Sequence, residues 1–262
     1  MNIKSKIVLA ILATSSAAFA QTAPAAPEVT YNVGVVSQYR YRGIAQSHGN
    51  PALQGGADYA NANGFYAGAW GSTIKWINDA SNGTAGTSGN VKGPVELDLY
   101  GGYKFEAAGI AYDVGYLRYQ YVNNTYKNAS TANVNANTDE AYGAATYGPA
   151  TLKYSYALSD LFGYGDTKGS SYWDLSATFD LGQGYSFVPH VGRQSITDGK
   201  NSNHGYSYND FALTLNKDLG DGLTASISAI STTGDVAKYK SNSATSYDAS
   251  KNTLVVGVKY AF

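Results

Sequence analysis

The connections between the predicted strands alternate strictly between short and long, and this alternation constrains the fold more than any single strand does. Tight glycine-containing turns occur near positions 62, 108, 148, 183 and 221, and longer polar segments occur near 46, 85, 130, 165, 201 and 242. A sandwich of hairpins and Greek-key crossovers gives no reason for such a pattern. We therefore predict an all-β fold, a transmembrane antiparallel up-and-down β-barrel of about twelve strands with short periplasmic turns and long extracellular loops.

Within the predicted strands, apolar and polar residues alternate with a period of two. The clearest strand starts at Val95 and places apolar residues on one face and Glu96, Asp98 and Lys104 on the other. Side chains cannot fill the lumen of a barrel of about twelve strands, so an apolar interior would be wet and unfavourable. We therefore predict that the apolar face contacts lipid and that the polar face lines an aqueous lumen.

The chain closes with a strand whose alternate apolar residues end at a terminal phenylalanine, Phe262. This strand is predicted to pair with the first strand, expected at Thr30 to Gly43, and so to close the barrel on its periplasmic side. It resembles the C-terminal signal of bacterial outer-membrane proteins. The expected partner of Leu254 to Phe262 is therefore the barrel-assembly machinery.

The N-terminus has the features of a secretory signal peptide. Residues 1–20 contain Lys4 and Lys6, then a short apolar run, and end in Ala18-Phe19-Ala20, so cleavage is expected after Ala20. The apolar run is shorter than the roughly 20 residues of a membrane-spanning helix. Residues 21–29 are predicted to form a periplasmic leader and residues 30–262 the barrel. The expected location is the outer membrane, in contact with lipid and lipopolysaccharide.

The composition excludes several classes of partner and cofactor. Without Lys4 and Lys6 the chain has 16 basic and 19 acidic residues, a net charge of −3, so nucleic acid is not an expected partner. It has no cysteine, which excludes disulfides and thiolate metal sites. The 24 tyrosines and 30 glycines are typical of many short strands with interfacial aromatic residues.

Several local features are expected from the alternation. Tyr39 and Tyr41 share a face with the apolar residues of the first strand, and Tyr66 and Trp70 lie opposite Lys75. A change of phase in the fifth strand predicts a β-bulge near Tyr116. Another bulge is expected at Pro189, because a closed barrel has no edge strand for a proline.

Five segments and the closing strand carry a family resemblance: SQYRYRGIAQS (37–47), PALQG (51–55), GFYAGAWGS (64–72), ELD (96–98) and GGY (101–103). They are similar to the TorF family of bacterial outer-membrane proteins, a group formerly of unknown function. The resemblance covers most of the chain after residue 20, except residues 78–91 and 123–137. It implies an outer-membrane porin-like barrel and supplies no substrate or catalytic residue.

Ionisable residues of the polar faces are predicted to line the pore. They are Arg40, Arg42, Lys75, Glu96, Asp98, Lys104, Asp113, Lys153, Asp174, Asp180, His190, Asp210 and Lys259. Opposed charges across a narrow lumen create a field that sorts solutes. We predict a constriction where Arg40 and Arg42 face Glu96 and Asp98. The predicted function is passive diffusion of small hydrophilic solutes. Two alternatives stay open: a plugged structural barrel, and a surface adhesin or receptor acting through its extracellular loops.

An enzyme is not predicted, and neither is a cofactor or a metal site. The chain has three histidines, and the sequence places no acidic orienting partner beside His190. Residues 79–83 lack the alternating acidic ligands of a calcium loop. Residues 163–169 miss the dinucleotide-binding spacing by one residue.

Overall fold

The computed structural model describes residues 27–80, 91–129, 134–197, 205–240 and 246–262. The predicted signal peptide, its cleavage after Ala20 and most of the predicted leader lie outside the described residues. Parts of four long connections also lie outside them.

Fifteen β-segments and two short α-helices are present in the described residues. The segments are β1 (Glu28–Val36), β2 (Arg40–Tyr41), β3 (Ile44–Ala45), β4 (Ala52–Ala60), β5 (Phe65–Thr73), β6 (Val95–Ala107), β7 (Ile110–Tyr121), β8 (Thr138–Tyr147), β9 (Ala150–Ala157), β10 (Ser171–Ala177), β11 (Phe179–Gly182), β12 (Tyr185–Ser195), β13 (Tyr208–Gly220), β14 (Leu223–Thr232) and β15 (Thr253–Ala261). The helices are α1 (Trp76–Asp79) and α2 (Val236–Tyr239). Neither helix has the length and apolar character needed to cross a membrane.

All segments except β2 and β3 form one antiparallel sheet that closes on itself. Each strand pairs with its neighbours in the sequence, β1 also pairs with β15, and β10 pairs with both β9 and β12. β10 and β11 are one strand interrupted at Thr178, so the thirteen segments of the sheet make twelve barrel strands. The predicted twelve-stranded up-and-down barrel is confirmed.

The start of the first barrel strand and the end of the last one both lie on the side of the barrel that carries the short turns. Five short connections follow β4, β6, β8, β11 and β13, and the longer connections follow β1, β5, β7, β9, β12 and β14. Tyr31 and Phe262 exchange two backbone hydrogen bonds, of 2.8 Å and 2.9 Å. The turn at Asp221 and Gly222 is left-handed, and a Cβ on Gly222 would lie 2.1 Å from the Ala261 carbonyl oxygen. Glycine is therefore required where this turn approaches β15.

The apolar residues point outward and the polar residues point inward, as the alternation predicts. Along β15, Leu254, Val256, Val258 and Tyr260 are exposed, whereas Lys259 is half-buried. In the other barrel strands the same period of two separates an outward, mostly apolar face from an inward, mostly polar face.

The prediction of a first strand from Thr30 to Gly43 is wrong. β1 begins at Glu28 and ends at Val36, after which the chain turns into the barrel and forms the β2–β3 hairpin. Tyr39 and Tyr41 are consequently buried inside and do not face outward. Alternation cannot be carried beyond the point where a strand leaves the sheet, because the period of two belongs to the pleated strand alone.

The predicted phase of β5 is also wrong. Tyr66 and Trp70 point into the lumen, where the Tyr66 hydroxyl donates to Asp113 at 2.6 Å and Trp70 packs against Tyr39. Phe65 is exposed on the outer face. Lys75, whose opposite phase suggests an outward Tyr66 and Trp70, lies beyond the end of β5 and immediately before α1.

Neither predicted bulge is present. β7 keeps an unbroken register with β6 and β8, and its inward phase at Tyr119 and Tyr121 contributes aromatic residues to the lumen. Pro189 lies in an unbroken pairing with Leu213. The ladder is interrupted opposite Pro189, between β10 and β11, without an extra residue. Proline lacks the N–H that a ladder needs, and loss of pairing is sufficient to accommodate it.

We expect deletion of Phe262 to weaken the barrel by about 2–4 kcal/mol, because it removes two backbone hydrogen bonds and an aromatic contact. The Phe262 ring stacks on Tyr31, with 5.8 Å between the ring centroids. Refolding yield in detergent and urea unfolding, both followed by heat-modifiable gel mobility, measure the effect. The control Phe262→Leu keeps the backbone bonds and should lose less than half as much. Equal stability of the deleted and intact chains would contradict this role.

Candidate functional site

The candidate site is the lumen, and its central feature is the segment of residues 38–47, which we call the lumen hairpin. β2 and β3 pair within it, and the Gln46 amide donates to the Tyr39 carbonyl at 2.8 Å. Arg42 and Gly43 form its tip with φ values of 46° and 77°. The left-handed turn suits a two-residue hairpin and holds Arg42 inside the barrel.

The lumen hairpin contacts opposite sides of the barrel wall. On one side, the Tyr39 hydroxyl donates to Glu96 of β6 at 2.6 Å, and the Tyr41 hydroxyl bonds to that of Tyr119 on β7. On the other side, Gly43 lies so close to β14 that an added Cβ would be 2.5 Å from the Thr232 methyl. The hairpin therefore crosses the lumen near the end that carries the long connections.

A buried ion pair between Arg42 of the hairpin and Glu140 of β8 joins the hairpin to the wall. The two Nη atoms of Arg42 donate to the Glu140 carboxylate oxygens at 3.0 Å and 2.7 Å, and Nη1 also donates to Gln194 at 2.9 Å. The two charged side chains are only 2% and 3% exposed. The guanidinium also lies 4.3 Å from the ring centroid of Tyr172. A bidentate pair in this setting fixes the position of the hairpin tip.

The predicted constriction between the two arginines and Glu96 with Asp98 is not formed as expected. Arg42 pairs with Glu140, and Arg40 donates to the carbonyl oxygens of Gly43 at 2.9 Å and Ala249 at 2.7 Å. Both arginines point away from β6, because β1 ends at Val36 and residues 40 and 42 belong to the hairpin and not to a barrel strand. Glu96 instead accepts the hydrogen bond from Tyr39.

A second buried charge cluster joins β10, β12 and β13. His190 Nε2 lies 2.8 Å from Asp210 and its Nδ1 lies 3.4 Å from Asp174. The Tyr172 hydroxyl donates to Asp210 at 2.9 Å. The sequence showed no acidic partner for His190, but neighbouring strands supply two. Cross-strand pairing brings together residues far apart in the chain, and this pairing could not be assigned from one strand alone.

Nearer the short-turn end, phenol groups and carboxylates line the wall. The Tyr100 hydroxyl donates to Asp58, and Lys153 Nζ lies 4.0 Å from the centroid of the Tyr142 ring. The sequence prediction omitted Asp58, Glu140 and the inward tyrosines. β4 and β8 are weakly patterned strands, and tyrosine occurs on both faces of this chain. The only sequence signal for an inward position of Asp58 and Glu140 is that each is an acidic residue within a strand.

Of the thirteen predicted pore-lining residues, ten lie in the inward phase of barrel strands: Glu96, Asp98, Lys104, Asp113, Lys153, Asp174, Asp180, His190, Asp210 and Lys259. Asp180 is exposed at the short-turn end of β11, where it accepts from the Gly182 amide. Arg40 and Arg42 belong to the lumen hairpin. Lys75 lies outside the strands and bonds Asp79 at 2.8 Å. Whether the ten line a water-filled pore stays a prediction.

No group of three or more potential metal-ligating His, Cys, Asp or Glu side chains able to hold a metal ion occurs in the described part of the chain. The buried Asp98 Oδ1 atom has no hydrogen-bond partner there either. The lumen chemistry described above therefore consists of ion pairs, phenols and carboxylates.

We expect Arg42→Ala to destabilise the barrel by about 3–5 kcal/mol, because the buried Glu140 carboxylate loses its partner. The double variant Arg42→Ala/Glu140→Ala should cost less than the sum of the single changes. Urea unfolding in detergent measures both. Arg193→Ala, at an exposed position on β12, is the matched control and should change stability by less than about 1 kcal/mol. Additive single changes would contradict a direct pair.

The barrel is similar to solved porin structures at low sequence identity. The NanC porin matches with a TM-score of 0.52 and 14% identity, over 89% of this chain and 99% of that chain. The KdgM porin has a TM-score of 0.49 and 8% identity, over 89% and 98%. An anion-selective porin from Comamonas acidovorans has a TM-score of 0.40 and 10% identity, over 90% and 99%. The NanC comparison shows a shared barrel fold.

No curated protein sequence matches this chain. A family model described as a bacterial protein of unknown function (Gcw_chp) matches residues 20–262, which include every barrel strand and the lumen hairpin. The chain belongs to the Gcw_chp family of bacterial proteins of unknown function.

Proposed function

We propose that this protein is an outer-membrane channel for the passive diffusion of small hydrophilic solutes, and that the TorF resemblance reflects this role. One observation carries the proposal: a closed twelve-stranded barrel is apolar outside and carries ionisable groups inside. A closed barrel satisfies every backbone group without water, which is a requirement for spanning the hydrocarbon core. The polar interior suits water and dissolved solutes.

The outer surface supports a membrane location. Its exposed apolar side chains cover all strands, and burying such surface in lipid is favourable by roughly 25 cal/mol per Å². Aromatic rings cluster at the short-turn end, where Phe65 packs against Tyr103 at 4.8 Å and Phe105 against Tyr112 at 5.1 Å. Such rings suit the boundary between lipid and water. Secretion with cleavage after Ala20, contact with lipopolysaccharide and assembly through the C-terminal strand belong to the same proposal.

The lumen hairpin would set the narrowest part of the channel. It leaves the wall charges on its short-turn side, including Lys153 and Lys259, in a wider part of the lumen. Because Arg42 is neutralised by Glu140, solute selectivity would depend mainly on those wall charges.

A plugged structural barrel is the second candidate, and a specific observation favours it. The hairpin tip is buried, and it bonds Tyr119 of β7, Glu140 of β8 and, across the lumen, Gln194 of β12. If the hairpin blocks the lumen in this way and does not move, the barrel would have a structural role.

The environment of His190 argues against hydrolysis by the lumen. Each ring nitrogen faces a carboxylate, Asp174 or Asp210. A histidine base needs one nitrogen to accept the proton of a nucleophile while the other is held by an orienting group. His190 therefore has no nitrogen available to act as a general base, and the channel proposal assigns it no catalytic role.

Single-channel recording in planar bilayers tests the channel proposal. The folded chain should give discrete conductance steps, and a variant whose residues 38–47 are replaced by a Gly-Ser linker should give larger ones, because a wider aqueous path conducts better. Heat-modifiable mobility controls for folding of both proteins. Silence of the intact chain with steps from the variant would indicate a plugged barrel. Silence of both folded proteins would refute a channel.

Lys259→Glu should shift ion preference toward cations by about two- to fivefold, because it reverses a charge in the lumen. The reversal potential in a potassium chloride gradient measures this ratio. Lys217→Glu is the control, since Lys217 lies in the outward phase of β13, where its Nζ donates to the Gln183 carbonyl. Equal shifts from both variants would contradict a lumen position for Lys259.

A further inference from the structure

A cavity of about 480 Å³ lies on the long-connection side of the lumen hairpin. We call it the outer cavity. Ten of its 23 lining side chains are Tyr, Trp or Phe, and hairpin residues Tyr41 and Ile44 form part of its lining. Its volume lies within the range of small-molecule sites.

The aromatic lining is held by contacts among its own rings. Tyr206 packs against Tyr164 at 4.9 Å and Tyr239 at 5.8 Å, and Trp76 packs against Tyr126 at 5.1 Å. The Tyr239 hydroxyl donates to the Tyr206 carbonyl at 2.5 Å. Rings fixed before a ligand arrives lose little conformational entropy on binding, and their faces suit a flat or ring-shaped molecule.

The Tyr126 and Tyr239 phenol groups of the outer cavity stay protonated at neutral pH. Burial raises the pKa of Tyr126 to about 12. Burial, and then the charge of Tyr206, raise the pKa of Tyr239. These side chains therefore add no negative charge that would repel an anion.

Among the Asp, Glu, Lys and Arg residues that line the outer cavity, two are positive and one is negative. Its carboxylate, Asp79, already bonds His48 at 2.5 Å and Lys75 at 2.8 Å. Lys238 and Lys240 line the cavity, are exposed, and form no ion pair with a carboxylate in the described residues. A ligand with negative charge would complement these two lysines.

Arg40 adds a third positive charge behind the lining. It is fully buried, and it donates to the Ala249 carbonyl and, at 3.3 Å, to the Tyr247 hydroxyl, both of residues that line the cavity. In the described part of the chain it forms no direct ion pair with a carboxylate, and the Asp248 carboxylate acts on it from beyond ion-pair distance. A buried cation in a medium of low dielectric extends its field into the adjacent cavity.

We infer that the outer cavity binds a small cyclic carboxylate, whose ring lies against the tyrosine faces and whose charge faces Lys238 and Lys240. This inference goes beyond the proposed function, since binding requires the folded barrel and not an open pore. An aromatic acid and a sugar acid share this chemistry. A bound molecule would contact the lumen hairpin directly.

Calorimetric titration of the full detergent-folded chain tests the inference with matched probes. The anions are benzoate and glucuronate, and their neutral counterparts are benzyl alcohol and glucose. At least one anion should bind about tenfold or more tightly than its neutral counterpart. The tighter anion identifies the aromatic or the sugar class. In a Trp70→Phe/Trp173→Phe protein, binding should also change the fluorescence of Trp76, which lines the cavity.

Two variants separate the parts of the site. Lys238→Ala/Lys240→Ala should remove the preference for the anion, and Tyr206→Leu should weaken binding of both the anion and its neutral counterpart. The control Lys92→Ala/Lys168→Ala changes two exposed lysines outside the lining and should leave affinity unchanged.

The inference is wrong if neither anion binds the folded chain, if each binds no more tightly than its neutral counterpart, or if the control loses as much affinity as the Lys238 and Lys240 variant. Conductance is a separate result. A silent barrel that binds the anion would refute the channel and support the site. A conducting barrel that binds neither anion would do the reverse.

Discussion

Pairing of β1 with β15 is the constraint on which the rest of the structure depends. Without it, two strands would each present a row of unpaired N–H and C=O groups, and each such group costs several kcal/mol in an apolar medium. The ladder runs from Asn32 with Ala261 to Val36 with Gly257. Closure sets the strand number, the inward and outward faces, and the position of both chain ends beside the short turns.

A closed barrel of twelve strands leaves space in its interior, because its wall side chains cannot fill the lumen. In this chain the lumen hairpin occupies part of that space. Burying Arg42 would be costly alone, and Glu140 supplies the compensating charge from β8. The hairpin consequently divides the interior into two regions. The outer cavity is aromatic with excess positive charge, and the remaining lumen is lined by phenols and ionisable groups.

Periodicity was a reliable guide where a strand stays in the sheet and failed where the chain leaves it. The faces of β6 and β15 follow from alternation alone, since their apolar and ionisable residues separate cleanly. Tyr39 and Tyr41 were misassigned because the chain turns inward after Val36. The phase of Trp70 does not follow from alternation, because β5 has aromatic side chains on both faces and no ionisable residue, and Lys75 lies beyond its end.

From the sequence alone we could predict the fold class, a strand number of about twelve, and the short-turn side for both chain ends. These depend on local properties: a period of two, glycine at tight turns, and the lengths of the connections. Only the tertiary structure decided which charges meet. Arg42 reaches Glu140 across 98 positions of sequence, and His190 lies between Asp174 and Asp210 on adjacent strands. Such partners depend on strand register and on the path of an infolded loop, and neither leaves a local pattern in the sequence.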